Sequence, residues 1–127
     1  MDGILHTIVW ISLGAIAGAN LRYFLSQQVA KWTGSAFPWG TLAINVTGSF
    51  LLGFFLYWTA DRSSDARWRL LVAVGFCGGY TTFSSFAYET VALFEHGEWV
   101  QAAANVAASN TLSLLAVGLG ALAARSL

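Results

Sequence analysis

Four stretches of this chain carry no charged side chain: residues 3–21, 32–60, 70–88 and 99–124. Each comes close to, or exceeds, the roughly 20 apolar residues that a helix needs to cross a hydrocarbon core about 30 Å thick. In lipid every backbone polar group must find its partner within the protein, and only helices and closed barrels achieve this. The chain therefore reads as all-α and integral to the membrane, with spans over about 4–27, 37–59, 68–94 and 99–124. These use nearly all 127 residues, so a single four-helix domain over residues 1–127 with short loops is the only economical arrangement. Only 9% of the residues are charged, against about 25% in a typical soluble domain. The first apolar run lacks a basic leader and a small-residue cleavage pattern, so it is expected to be a retained helix.

The third run has a centre ill suited to a continuous helix. Gly75, Gly78 and Gly79 are followed by Thr81-Thr82 and Ser84-Ser85. Glycine costs roughly 1 kcal/mol against alanine in a helix interior, and β-branched threonine loses rotamer freedom there. A break is expected near residues 77–82, close to the bilayer midplane. Irregular backbone at membrane depth is tolerated where it is buried in protein or lines a watery cavity, and interrupted helices point to transport sites. The stretch thus suggests a pathway for something small and polar. Cys77, the lone cysteine, has no partner for an intramolecular disulfide and reads as packing.

Around this stretch the other helices supply close contacts and neutral polar groups. Gly14 and Gly18 form a GxxxG spacing that lets another helix approach. Arg22 follows; it either snorkels and caps helix carbonyls or forms an electropositive mouth. Lys31 to Ser35 are expected to make the first loop, and Phe37-Pro38-Trp39 to open the second helix, where proline sacrifices no hydrogen bond. Thr41, Asn45 and Ser49 recur every fourth residue and share a face. Asn45 either staples two helices or donates into a pore, since an amide in mid-bilayer requires a partner. Tyr57-Trp58 suits the interface. Residues 61–69 form the one dense charge cluster and read as a solvated loop. Glu89 is either a vestibule residue or an ordinary interfacial carboxylate, and residues 95–98 are a tight turn with His96 exposed. Asn105, Ser109 and Ser113 give the fourth helix a second polar track.

Several function classes are disfavoured. Six basic and six acidic residues balance, so no basic surface invites nucleic acid. No metalloprotease, nucleophile-elbow or Cys/His pattern occurs, and no carboxylate pair falls in a span, so an enzyme is not expected. The first helix holds no acidic residue within its apolar run, which weighs against a proton-coupled exporter of drugs or small solutes. A structural subunit, whose hydroxyls and glycines only pack helices, is the other alternative. Phe83 and Phe86 project from one side at a spacing of three; ring edges are electropositive and can meet a partly dehydrated anion. Neutral donors would let such an ion leave where a lysine would trap it. Arg62, Arg67, Arg69 and Arg125 face Arg22 and Lys31 across the expected topology, a shallow bias. Insertion in both orientations, with an antiparallel pair supplying the inverted symmetry, follows as a hypothesis.

Three motifs carry a specific resemblance. Gly14-x3-Gly18-x3-Arg22, Trp39-Gly40-Thr41-Leu42-x2-Asn45 and Gly75-Phe76-x-Gly78-Gly79-x-Thr81-Thr82-Phe83-Ser84-x-Phe86-x2-Glu89 resemble the fluoride channel family called Fluc or CrcB, essentially along the whole chain. The resemblance implies a four-helix subunit in a dual-topology antiparallel homodimer of the bacterial plasma membrane, with two fluoride pores at the dimer interface. It implies passive export of fluoride that entered as HF. By the same resemblance Phe83 and Phe86 are ring-edge ligands of the ion, and Asn45 is the amide donor near them. Thr41, Thr82, Ser84, Ser109 and Ser113 are candidates for the pore's polar track. Arg22 and Glu89 belong to the vestibule. The carbonyls of Gly78 and Thr81 would hold a structural sodium ion on the twofold axis, with four oxygens from two subunits. Asn105 stands where some members carry an aromatic residue.

Overall fold

The computed structural model describes residues 2–62 and 64–127. Helix α1 covers Asp2–Thr33 and α2 covers Trp39–Ala60. Residues 66–80 form α3, wound as a π-helix over Arg69–Cys77 between short α-turns. Phe83–Glu95 is α4 and Trp99–Arg125 is α5. Four helical stretches are long and apolar enough to cross a membrane: Asp2–Thr33, Trp39–Ala60, Ala66–Glu95 and Trp99–Arg125.

One expectation about the ends needs correcting. Lys31, Trp32 and Thr33, expected in the first loop, complete the last turn of α1. Nothing before Gly34 stops the helix. That glycine has φ +77° and returns its N–H to Ala30 O at 2.8 Å, a left-handed helix stop that favours glycine. Helix α2 begins one residue after Pro38, whose carbonyl accepts from Leu42 N at 3.1 Å.

Small residues set the layers. Gly14 and Gly18 are buried, and a Cβ on either would collide with α3 backbone, at Leu71 O for Gly14 and Phe76 O for Gly18. The GxxxG face of α1 is therefore used for backbone-to-backbone contact with α3. Helix α2 lies along α5, where Gly53 meets Val117 and Gly120 meets Phe50 in the same close manner. The apolar side chains of α1, among them Ile4, Leu5, Ile8, Val9, Leu13 and Ile16, face outward, as lipid-facing surface requires. Cys77 is 2% exposed and packs in the interior.

Between α3 and α4 the backbone leaves the helix for two residues. Thr81 has φ −87° and ψ 156°, and Thr82 has φ −149° and ψ 115°. The carbonyl end of α3 and the N–H end of α4 meet there, so their opposed partial charges sit side by side.

Candidate functional site

The junction is held by side chains from α1 and α2 and by its own threonine. Asn45 on α2 accepts from Thr82 N through Oδ1 at 2.7 Å and donates from Nδ2 to Thr82 O at 3.0 Å. The backbone N–H that the extended conformation frees at Thr82 is thereby satisfied. The Thr82 hydroxyl caps α4, accepting from Ser85 N at 3.2 Å; threonine is a preferred residue there because its oxygen meets an otherwise orphaned N–H. Arg22 reaches from α1 to donate from Nε to Gly79 O at 3.1 Å. Its guanidinium thus lies at the carbonyl end of α3, where a cation is favourable.

These substitutions leave two carbonyls without their usual helical partners. In an unbroken helix Thr82 N–H would bond Gly78 O, and Ser85 N–H would bond Thr81 O. Here Asn45 takes the first donor and the Thr82 hydroxyl takes the second. Gly78 is exposed, and a Cβ built on it would meet nothing within 4 Å.

Three spaces lie along the helices on either side of this junction. An open groove of about 320 Å³ is lined by Asn45, Ser49, Phe83, Phe86, Ser109 and Ser113, together with Thr81 and Thr82. A smaller space of about 210 Å³ is lined by Arg22, Ser26, Thr41, Thr82, Ser85 and Glu89. A mouth of about 610 Å³ adds His96, Glu98 and Gln101 to Ser26, Thr41 and Glu89. Thr82 borders both the groove and the small space, so it forms the partition between them.

Most of the residues singled out in the sequence gather here. Phe83 and Phe86 lie 5.4 Å apart between centroids with planes inclined by 54°. Phe83 is 76% exposed, whereas Phe86 is 8% exposed. The face of α2 expected to be one track is divided: Asn45 and Ser49 line the groove, but Thr41 lines the other two spaces. Thr41 donates to Glu89 Oε1 at 2.8 Å, while Glu89 Oε2 is buried without a protein partner. Ser84 is exposed and does not line the groove; its hydroxyl lies 3.3 Å from that of Thr82. On α5, Ser109 and Ser113 reach the groove. Asn105 is 1% exposed, donating to Thr90 Oγ1 at 2.9 Å and accepting from Ser109 at 3.3 Å. It therefore staples α5 to α4.

Sequence reasoning passed over Ser85, Thr90 and the Gly79 carbonyl. A signal existed for the cap that engages Ser85: threonine where the helical pattern resumes is a preferred N-cap, whose oxygen meets the N–H three residues on. None existed for Gly79, whose bond to Arg22 spans 57 positions.

Membrane-length helices around an interrupted one, with uncharged hydroxyls, amides and aromatic rings lining a groove, define a multi-pass membrane protein of the solute-passage class. The chain matches the family described as CrcB-like protein, Camphor Resistance (CrcB), over residues 9–121, and it belongs to that family. A protein of Koribacter versatilis (strain Ellin345) named fluoride-specific ion channel FluC is 60% identical over 116 residues, 90% of this chain and 92% of that one. A protein of the same name from Paramagnetospirillum magneticum is 46% identical over 121 residues, 93% of this chain and 94% of its own. A third, from Sulfurihydrogenibium sp. (strain YO3AOP1), is 46% identical over 118 residues, 92% and 95% of the two chains.

Proposed function

We propose that this chain is the subunit of a fluoride-selective passive channel, a transporter rather than an enzyme, that releases fluoride from the cytoplasm across the bacterial inner membrane. The observation that carries the reading is the groove that brings Phe83 and Phe86 beside Asn45, Ser109 and Ser113, in a family whose relatives bear the fluoride-channel name. Fluoride holds its water tightly, so passage requires replacement donors that are neither absent nor fixed cations. Ring edges of Phe83 and Phe86 offer positive potential without a charge. Asn45 has spent one amide N–H on Thr82, and its second remains as a donor. The hydroxyls of Ser109 and Ser113 continue the path. Thr82 hands the ion between the groove and the space bounded by Arg22, Thr41 and Glu89, which serves as vestibule.

The subunit works as an antiparallel homodimer with dual topology, two pores and a third helix broken near the midplane. Support comes from the groove's open side and from Phe83, 76% exposed at that opening: a second copy would close both. A structural sodium ion at the dimer centre fits the same junction. Gly78 and Thr81 offer carbonyls whose helical donors are diverted to Asn45 and Thr82, and hard cations take oxygen ligands. Among the described residues no group of His, Cys, Asp and Glu is placed to hold a metal, so carbonyl oxygens from two subunits would be its ligands. The ion would fix the two breaks against each other.

Fluoride efflux from liposomes carrying the purified protein, with the membrane voltage clamped by potassium and valinomycin, tests the reading. Rapid fluoride release with negligible chloride release, insensitive to a proton gradient, is expected. Vesicles shown to contain folded protein that release neither ion would refute the channel and favour the structural subunit. Release that follows a proton gradient would favour an exporter.

A further inference from the structure

The end of the bundle opposite the mouth carries two arginines that the channel reading does not use. Arg62 follows the last turn of α2, and Arg125 closes α5. The two helices run parallel, so both residues emerge at one membrane surface. Arg62 Cζ lies 4.7 Å from the ring centroid of Trp58, and Arg125 Cζ lies 4.8 Å from that of Tyr57. Two guanidiniums thus rest on neighbouring aromatic residues of the interfacial belt.

Stacking occupies the face of a guanidinium and leaves its in-plane N–H fork available. Neither fork is taken up: among the described residues the one ion pair joins Arg67 to Asp65. Both arginines are exposed. Two flat forks held at headgroup depth match the bidentate geometry that phosphate oxygens favour. The loop that carries Arg62 also carries Asp61 and Asp65, and Asp65 is taken up by Arg67.

We propose that Arg62 and Arg125, set on Trp58 and Tyr57, each hold the phosphodiester of an anionic lipid at this surface. The aromatic rings fix the depth and orientation of the forks, and the lipid's net charge distinguishes it from zwitterionic lipids that carry the same phosphate. The site is independent of the fluoride pathway.

Native mass spectrometry of the full chain, released from detergent containing equal phosphatidylglycerol and phosphatidylcholine, tests this, with thermal melting in the same mixtures as a second readout. The wild type is expected to retain phosphatidylglycerol in preference to phosphatidylcholine and to melt higher with it. Arg62→Gln and Arg125→Gln should each cut the preference about fivefold, the factor expected of one basic residue at an anionic surface. The double Lys variant keeps the charges but loses the forks, and should recover less than half of the gain. Full recovery with lysine would overturn the built site in favour of diffuse attraction. Equal retention of the two lipids by the wild type, or the same melting gain from inorganic phosphate alone, would also overturn it.

Discussion

The carboxamide of Asn45 pairs with both backbone groups of Thr82, accepting its N–H at 2.7 Å and donating to its carbonyl at 3.0 Å. One side chain thus replaces the helical partner of the Thr82 N–H and adds a bond to the carbonyl that opens α4. Asn45→Ala leaves the Thr82 N–H unpaired, at about 1–3 kcal/mol for a buried group. Asn45→Asp keeps the acceptor and loses the donor, so it should melt between the wild type and the alanine variant. It should also fail to transport, because a fixed negative charge then stands where a donor to fluoride is required. Melting in detergent and liposome efflux separate the two effects; full transport by Asn45→Asp would refute the donor role.

A methyl on Gly18 has no room, since it would meet the Phe76 carbonyl of α3. Backbone cannot swing aside as a flexible side chain does, so the helices must separate. Gly18→Ala is expected to cost roughly 1–3 kcal/mol, the range for overpacking, seen as a lower melting temperature and a smaller monodisperse fraction. Gly118→Ala, where nothing lies within 4 Å of the added carbon, is the control that should remain unchanged. Equal behaviour of the two would show that the α1–α3 contact is looser than described.

The four spans were legible because lipid gives an uncharged run of some 20 residues almost no alternative to a helix. The residues that satisfy the junction were less legible. Asn45 had two readings, and choosing between them required knowing that the backbone is extended at Thr82. Arg22 acts on a carbonyl 57 residues away, which no local pattern encodes. Asn105, part of a regular polar spacing with Ser109 and Ser113, turned inward to Thr90; periodicity identifies a face, not its partner. Lys31 to Thr33 read as loop with Gly34 and Ser35, but a helix can run beyond the apolar layer until a residue such as Gly34 ends it.

Asp65 caps the start of α3, accepting from Arg67 N at 3.0 Å, and pairs with the Arg67 side chain. The hydrogen bond from that side chain holds the Asp65 carboxyl below its ordinary range. A lowered folded-state pKa means the contribution is present above the unfolded value, near pH 4, and is lost as pH falls through the folded value. The melting temperature of the wild type should therefore approach that of Asp65→Asn as pH drops below about 4. A difference that stays constant down to pH 2 would show that the carboxylate contributes nothing there.

If Gly78 and Thr81 carbonyls hold sodium between two copies, replacing sodium with N-methylglucamine removes the ligand that joins them. The dimer should then dissociate at lower temperature, while the helices of each subunit persist. Gly78→Ala should reproduce the loss of dimer and abolish its sodium dependence. Light scattering across a temperature ramp reads the assembly, and circular dichroism reads the helices. Identical dissociation in both salts would remove the cation from the account.

Phe83 and Phe86 should differ in stability and agree in function. Phe83 is 76% exposed in the isolated chain and Phe86 is 8% exposed, although their rings are 5.4 Å apart in the same groove. Isoleucine keeps the apolar character of either site and removes the electropositive ring edge. Phe83→Ile should leave the melting temperature of the subunit almost unchanged. Phe86→Ile should cost up to about 1.5 kcal/mol, the usual limit for a hydrophobic swap of similar volume. If the ring edges carry fluoride, both variants lose most of their efflux whatever their stability, and the loss does not follow the melting order. If packing is all the rings supply, efflux falls only in Phe86→Ile, in step with its stability, and Phe83→Ile conducts as the wild type does. Parallel efflux and melting measurements on the two variants decide between a ligand pair and a packed pair.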